Sequence, residues 1–404
     1  MCFTPPRRTT IAIRRSRSST LTEAPVCCKY STTEATSSPA VTTIRQEFAP
    51  EAMHVDRYRF VTEPPAFQMA QRSPLRDLAF DYRRKTRDIA ALLKNGAAVA
   101  RGYYAFADKA SRAIFKDLLV YRYLTPHLSH VANNEQMFNA LEAFMRDNFS
   151  AEVLPTDINI LGESMAVWSV HYNNIPVQIV TTKYGLYWTL ISDQYHFRRG
   201  DTVIGPAEGD VILDCGSFVG DTAIKFATYT GVTGKIYSFD PVRSHAMIAR
   251  ESVARNHLDD RIEIFSCGVS RTSKPSASAA IEDVSGQAEE TLIASPGRPL
   301  SVTDAAISID DFCRLRGLNS VDYIKMDIEG SEAEALEGAS ETITRFKPKL
   351  AVCLYHKPSD LWTIPYELKL RYPFYKMYLE HYSLHAEETV MYAIASEGTD
   401  SRGH

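Results

Sequence analysis

Carboxylates and glycines gather at three points where short apolar runs end, at spacings that suit a small charged ligand. The first run, Val211-Ile-Leu, leads into Asp214-Cys-Gly216-Ser217-Phe-Val-Gly220-Asp221. Gly216 lets the backbone turn sharply and approach a ligand, and Gly220 relieves crowding where a following helix packs back. A dinucleotide fingerprint needs three glycines as G-x-G-x-x-G, whereas this loop has two as G-x-x-x-G. Pyrophosphate also gains from a helix N-terminus free of carboxylates. Here Asp214 ends the strand and Asp221 begins the helix, which suits a ligand carrying an ammonium and a sulfonium. S-adenosylmethionine (SAM) carries both. Two plainer roles stay open: Asp221 as a helix cap and Asp214 as a brace for the loop.

The second point is Tyr237-Ser-Phe-Asp240-Pro241. Asp240 falls 24 residues after Gly216, where an acid at a strand end can accept both hydroxyls of a ribose. The third is Lys325-Met-Asp327-Ile-Glu329-Gly330-Ser-Glu332. Strand alternation puts Tyr323, Lys325 and Asp327 on one face and Ile324, Met326 and Ile328 on the other. Glu329 and Glu332 could also do no more than complement the dipole of the next helix.

A methyl already activated on a sulfonium moves by in-line displacement, so the protein must chiefly align donor and acceptor and exclude water. A hydroxyl acceptor needs a base as well. The candidates are His356, Asp327 and Glu329. His356 follows the run Lys349 to Tyr355 and should emerge beside Asp327. A histidine titrates near neutrality and can take the proton without a metal. Asp327 could instead orient that imidazole, hold the acceptor or hold the SAM ammonium. Lys325 could compete for it.

Positioning these groups takes alternating strands and helices. Strands are predicted at Val211-Ile-Leu, Lys235 to Phe239, Arg261 to Phe265, Val321 to Met326 and Lys349 to Leu354, and helices at 222–229, 245–256 and 333–346. That rhythm specifies a parallel sheet covered on both faces. Two final strands, Phe374 to His381 and Glu388 to Ile394, form a terminal hairpin that inserts one antiparallel strand. The expected fold is α/β, a Rossmann-like class I methyltransferase sheet with a helical N-terminal region. Helices are expected after Ser73-Pro74, after Ser111 and after Asn133 or Asn134. Strands are expected at Val167 to Tyr172, Val177 to Val180 and Leu186 to Ile191, a hairpin cap over the main domain. The organisation is therefore 1–50 as a disordered tail or targeting segment, 51–200 as an accessory cap, 201–396 as the catalytic domain and 397–404 as a tail. Residues 271–300 form a surface loop or short hairpin.

The run from Gly209 to Ala393 resembles the FkbM family of SAM-dependent methyltransferases. The stretches that carry the likeness are 210–222, 234–241, 307–312, 321–332, 347–350, Tyr355-His356 and 388–393, in order over nearly half the chain. The I-K-x-D-x-E-G-x-E block is the most specific. Asp240 stands where the family often has Glu, and Ser217 where it often has Asn. The resemblance implies O-methylation of a small-molecule or sugar hydroxyl. The alternatives are a degenerate SAM-binding domain that docks a partner and an NAD-dependent oxidoreductase, the latter disfavoured by the glycine count.

Composition narrows the partners. A net charge of -4 and pI near 6.3 argue against a dedicated nucleic-acid binder. An Asp-Ile-Glu-Gly block replaces the Asp/Asn-Pro-Pro-Tyr/Phe of enzymes that methylate amino groups on nucleic acid. No apolar run reaches about 18 residues, so no membrane span is expected. The seven cysteines form no C-x-x-C pair and read as buried reduced thiols. No metal site is expected: Asp310-Asp311 and Asp327 could supply clustered carboxylates, but the fifth strand ends in Tyr355-His356 rather than Asp-Asn. The Arg- and Ser-rich start allows organelle import, with a cytoplasmic location otherwise, or translation from Met53. A chain beginning at Met53 is expected to fold and bind SAM like the full chain. Loss of the folded core on that truncation, read by circular dichroism, would show that the tail packs against it.

Overall fold

The computed structural model describes residues 86–124 apart from 88, 163–282, 303–383 and 387–396, with a few isolated positions elsewhere. The helices expected after Ser73 and after Asn133, and both tails, fall outside that set apart from position 143 and Ala12–Ile13. The latter pair lies antiparallel to Val170 and His171.

The described chain opens with α1 (Gly96–Ala105) and α2 (Lys109–Leu119). The cap of α2 is Asp108, whose side chain accepts from Ser111 N at 2.7 Å. Ser111, expected as the cap, sits inside the helix. Its hydroxyl is committed elsewhere, accepting from Leu379 N at 2.8 Å and from Arg199 at 2.9 Å.

Next comes the expected hairpin, β1 (Ala166–Tyr172) and β2 (Ile175–Thr181), antiparallel throughout. Its turn residues Asn173 and Asn174 both have positive φ, as two-residue hairpin turns require. The strand expected at Leu186 to Ile191 is helical instead: α3 (Lys183–Leu186) widens into a π-helical turn over Tyr187–Ile191. Thr182 starts it by accepting from Gly185 N, and the turn buries Leu186, Tyr187 and Leu190 on one side. Packing overrides the β preference of the aromatic and branched residues. A small ribbon follows, β3 (Phe197–Arg199) with β4 (Thr202–Ile204).

The main sheet is built from β5 (Val211–Cys215), β6 (Lys235–Phe239), β7 (Ile262–Phe265), β8 (Tyr323–Met326), β9 (Lys349–Cys353), β10 (Tyr375–His381) and β11 (Thr389–Ala395). Its order is β7-β6-β5-β8-β9-β11-β10. The pairings from β7 to β9 are parallel, and β11 runs antiparallel to both β9 and β10. This is the expected class I methyltransferase sheet, closed by the inserted hairpin strand. Reversal of strand order at β5/β8 opens a crevice at the carboxyl ends of those strands, where such sheets take ligands.

Helices α4 (Asp221–Thr230) and α5 (Arg243–Arg255) cover one face with the β1–β2 hairpin. On the other lie α6 (Ile309–Leu315), α7 (Glu332–Glu337), α8 (Ser340–Phe346) and α9 (Asp360–Arg371). Each face has its own apolar core, and strand alternation divides β8 as expected, with Tyr323 in one core and Ile324 and Met326 in the other. The single helix expected at 333–346 is two. A Cβ at Gly338 would come 2.4 Å from Ser270 O, so the chain breaks there, and Asp310 restarts α8 by accepting from Glu341 N and Thr342 N. Helix α9, with Pro365 inside it, was not expected.

The accessory helices pack on the sheet itself. Gly102 brings α1 against α9, where a Cβ would stand 2.6 Å from Trp362 Cα. Ala107 N donates to Met377 O and Leu379 N to Ser111, so α1 and α2 cover the edge strand β10. Arg199 fastens this seam, donating to Asp108, Ser111, Leu379 O and Glu380. Arg199→Ala is expected to destabilise the fold by about 1.5–3 kcal/mol, the range for hydrogen bonds to charged groups. Urea unfolding measures the loss, and limited proteolysis should cut 86–124 before the sheet. An unchanged midpoint and digestion pattern would show that packing alone holds the seam.

Candidate active site at the carboxyl ends of the central strands

The turn after β5 depends on its glycines. Gly216 and Gly220 both have φ of +81°. A Cβ at Gly216 would lie 1.8 Å from Asp327 O, and one at Gly220 2.9 Å from the Ala249 side chain. The turn is thus pressed against the end of β8 and against α5. Gly216 N and Ser217 N both donate to Phe239 O. Asp240, at the end of β6, clasps the same turn: Oδ2 accepts from Phe218 N at 3.0 Å and Oδ1 from Val242 N at 2.8 Å, with His245 Nδ1 at 3.2 Å from Oδ1. A carboxylate has about four acceptor positions. Three are engaged, leaving room for one further donor where the sequence suggested two. Ser217 Oγ is buried without a hydrogen-bond partner among the described residues.

Asp214 and Asp221, expected near the ligand, are turned inward. Asp214 is fully buried, accepts from Thr222 Oγ1 at 2.7 Å and lies 3.2 Å from Lys325 Nζ, so it braces the turn. Asp221 accepts from Thr189 and Thr181 of the hairpin cap and from Thr222 N. Burial raises its pKa, with the Thr189 bond and Lys325 pulling the other way. It ties the cap to α4. The cap position of α4 belongs to Gly220.

At the end of β8, Asp327 accepts from Tyr195 OH at 2.8 Å and Tyr355 OH at 2.9 Å. Burial works to raise its pKa, but Lys325, His356 and the two hydroxyls outweigh that and hold it below the usual carboxylate range. His356 emerges beside it, as expected. Its Nδ1 is 2.7 Å from Glu332 Oε1, and its Nε2 is 3.4 Å from Asp327 and 3.5 Å from Glu329. Burial would lower the imidazole pKa, yet the Glu332 bond and the charges of Glu332, Glu329 and Asp327 raise it to about 9. The expected neutral base is therefore a cation at neutral pH, with both ring nitrogens carrying protons. Asp327, Glu332 and His356 bring ligand atoms within 4.8 Å of one another, a span a metal ion could bridge. Glu329 has a φ of +54°, and its side chain is 62 % exposed.

Three residues at this mouth were missed. Tyr195 and Gln194 arrive from the end of the cap, and Gln194 Nε2 donates to Glu388 Oε2 at 2.6 Å. Burial and the charge of Asp327 push the Glu388 carboxyl up to about 8, against the Gln194 bond. The Glu388-Thr-Val-Met-Tyr-Ala393 stretch reads as a strand and as part of the family likeness, with no site role for Glu388.

Residues 214–391 match the family model described as the Methyltransferase FkbM domain. That stretch is similar to the FkbM methyltransferase domain. Over 153 residues it is 29% identical to the 2-O-methyltransferase NoeI of Sinorhizobium fredii (strain NBRC 101917 / NGR234), covering 33% of this chain and 59% of that protein. Among solved structures it is similar to a methyltransferase FkbM from Methylobacillus flagellatus KT, at 19% identity and a TM-score of 0.41, covering 75% of this chain and 60% of that one. It is also similar to an O-methyltransferase from Bacillus cereus in complex with SAH, at 15% identity and a TM-score of 0.30, covering 46% and 74% of the two chains. The chain thus spans less than two thirds of the first two relatives' length.

The matched FkbM span contains Asp214, Asp240, Asp327, His356 and Glu388, whereas Gln194 and Tyr195 reach into it from outside. One consequence concerns pH. The His356 pKa rises from 6.5 to about 9 on folding, so its contribution to stability is complete below pH 6.5 and is lost as pH rises through 9. On the order of 3 kcal/mol should disappear across that window. Urea midpoints measured at pH 6 and pH 9.5 read it, and His356→Gln should flatten the slope. A wild type equally stable at both ends would show that the imidazole is not held as a cation.

Proposed function

We propose that this chain transfers the methyl group of SAM to a hydroxyl of a small molecule or sugar. The observation that carries the reading is the clasp between two strand ends, in which Asp240 accepts from Phe218 N of the glycine turn. A carboxylate fixed there, with one acceptor position left, suits a ribose hydroxyl. Ser217 Oγ, buried and without a partner, is a second polar atom that a ligand would satisfy. Gly216, Ser217, Gly220 and Asp240 are the residues that would hold the cofactor. Bound there, SAM supplies a methyl already activated on a sulfonium.

What remains for the protein is alignment, exclusion of water and removal of a proton. Carboxylates at the mouth outnumber cations: Asp327, Glu329 and Glu332 face Lys325 and the protonated His356. Such an imbalance favours a positively charged ligand over a pyrophosphate. Asp327, held as an anion by Lys325 and two tyrosine hydroxyls, is suited to orienting a ligand ammonium or the acceptor. Oxygen as the acceptor atom is supported by the relative's description as a 2-O-methyltransferase and by the Asp-Ile-Glu-Gly block after β8.

Asp240→Ala should weaken SAM binding by about 1–3 kcal/mol, the loss expected for a hydrogen bond to a charged group. Calorimetric titration of the folded variant with SAM, and with NADH as a control, measures this. Unchanged SAM affinity would sink the assignment, and tighter NADH than SAM binding in wild type would turn the site over to a dinucleotide.

A further inference from the structure

We infer that Glu388 is the general base that takes the proton of the acceptor hydroxyl, with Gln194 as its positioning residue. The inference rests on the methyl-transfer reading above and names the group that reading leaves open.

Placement comes first. Strand β11 runs antiparallel to β9, with Cys353 opposite Val390 and Leu354 N donating to Thr389 O. Glu388 therefore stands across from Tyr355 at the carboxyl edge of the sheet, where the Tyr355 hydroxyl holds Asp327. It enters the mouth from the side opposite the glycine turn, where an acceptor must lie if the turn holds the donor. It is half-buried, so a ligand can reach it.

The backbone around it is held out of the ordinary. Glu388 has a φ of +58°. Tyr195, Phe218 and Glu329 also have left-handed φ, so four of the nine such non-glycine residues among those described border this mouth. Left-handed backbone costs roughly 1 kcal/mol or more per residue and persists where its surroundings enforce it, most often at functional sites.

Gln194 supplies part of that enforcement. Its side-chain amide donates to Glu388 Oε2. Its own carbonyl accepts from Lys225 Nζ at 2.6 Å, and Lys225, fully buried, pairs with Asp193. One carboxylate oxygen is thus pinned by a neutral donor on an anchored loop. Among the described residues no other side-chain hydrogen bond of Glu388 is seen, which leaves Oε1 for the acceptor.

The other titratable groups facing Glu388 are poorly suited to the task. Asp327, at the end of β8, has both oxygens occupied by tyrosine hydroxyls and is stabilised as an anion. His356 of the β9 end is already protonated. Tyr355, Tyr195 and Cys353 are held well above their ordinary pKa by burial and by Asp327. Glu387, the neighbour in sequence, adds negative charge. Burial and these charges make the Glu388 carboxylate a stronger base than an exposed one, and a base titrating near the working pH is the effective kind.

The step balances. The acceptor O–H bond breaks and its proton goes to Glu388 Oε1. The oxygen electron pair forms the new O–C bond, and the C–S pair leaves with the sulfur as a neutral thioether. The proton is then lost to solvent.

The test uses the full chain. With glutamate labelled at its side-chain carboxyl carbon, one NMR signal should titrate in the mildly alkaline range and vanish in Glu388→Gln. Gln194→Ala should move that titration higher, since the bond it removes favours the ionised form. A Glu388 signal in the ordinary carboxylate range overturns the inference. With SAM and hexose methyl glycosides as donor and acceptors, Glu388→Gln should cut S-adenosylhomocysteine formation by roughly 10²-fold or more. Glu388→Asp should regain part of it, and SAM affinity should stay unchanged. The wild-type rate should rise with pH through the Glu388 titration, and the variant should lose that limb. Near-normal turnover in Glu388→Gln overturns the inference. Failure of the wild type to bind SAM would instead sink the methyl-transfer reading itself.

Discussion

A buried ammonium joins the two central strand ends on which the site is built. Lys325 is 1 % exposed, donates to Gly216 O, lies 3.2 Å from Asp214 and lowers the pKa of Asp327. The glycine turn, its brace and the acid at the end of β8 therefore share one cation. Taking an ammonium out of water costs several kcal/mol, and here two carboxylates and a carbonyl repay it. The arrangement is directional: loss of the cation would strand two buried carboxylates, and loss of either carboxylate would strand part of a buried positive charge. Burial would lower the Lys325 pKa, but Asp214 and Asp327 hold it above the ordinary value, so the charge persists throughout the working pH range.

That shared cation divides the carboxylates into classes with different chemistry. Asp214 and Asp221 face inward to threonines and maintain the shape of the turn and cap. Asp240 faces the turn amides. Asp327 remains charged because cation and hydroxyls surround it. Glu332 remains beside His356 and turns that imidazole into a second fixed cation. Glu388 combines a neutral partner with a neighbouring anion, a condition that raises a carboxyl pKa toward neutrality.

Much of this was legible because it is local. Apolar runs ending in Asp214, Asp240 and Asp327 specified parallel strands and their carboxyl edge, and the two-residue period divided Tyr323 and Lys325 from Ile324 and Met326 correctly. The illegible parts depend on partners far away in sequence. Ser111 looked like a helix cap, yet its hydroxyl is needed by Leu379 N and Arg199, and Asp108 takes the cap. Leu186 to Ile191 has strand composition, but its helical turn is what brings Thr189 to Asp221. His356 stands beside Asp327 as expected, but its charge is set by a contact with Glu332 that strand and helix periodicity do not report. Glu332 in fact accepts from Ile328 N and from the imidazole with the same oxygen. Gln194 meets Glu388 across 194 residues, and no periodicity reports such a contact.

The accessory segment is mechanically part of the site, although it lies outside the matched domain. The hairpin is tied to α5 by Asn256, whose side chain bonds both Gln178 N and Gln178 O. It is tied to α4 through Thr181 and Thr189 on Asp221, and through Lys225 on Asp193 and Gln194 O. Each tie lies on the helix side of the sheet that also packs against the glycine turn. Two consecutive residues at the end of this segment, Gln194 and Tyr195, then bond Glu388 and Asp327. Displacement of the hairpin would therefore move the donors of both carboxylates together while leaving Asp240 and the glycine turn in place. The glycine-turn end of the crevice, with Asp240, is built within the sheet domain, and the end that holds Asp327 and Glu388 is completed by Gln194 and Tyr195 from outside the matched residues.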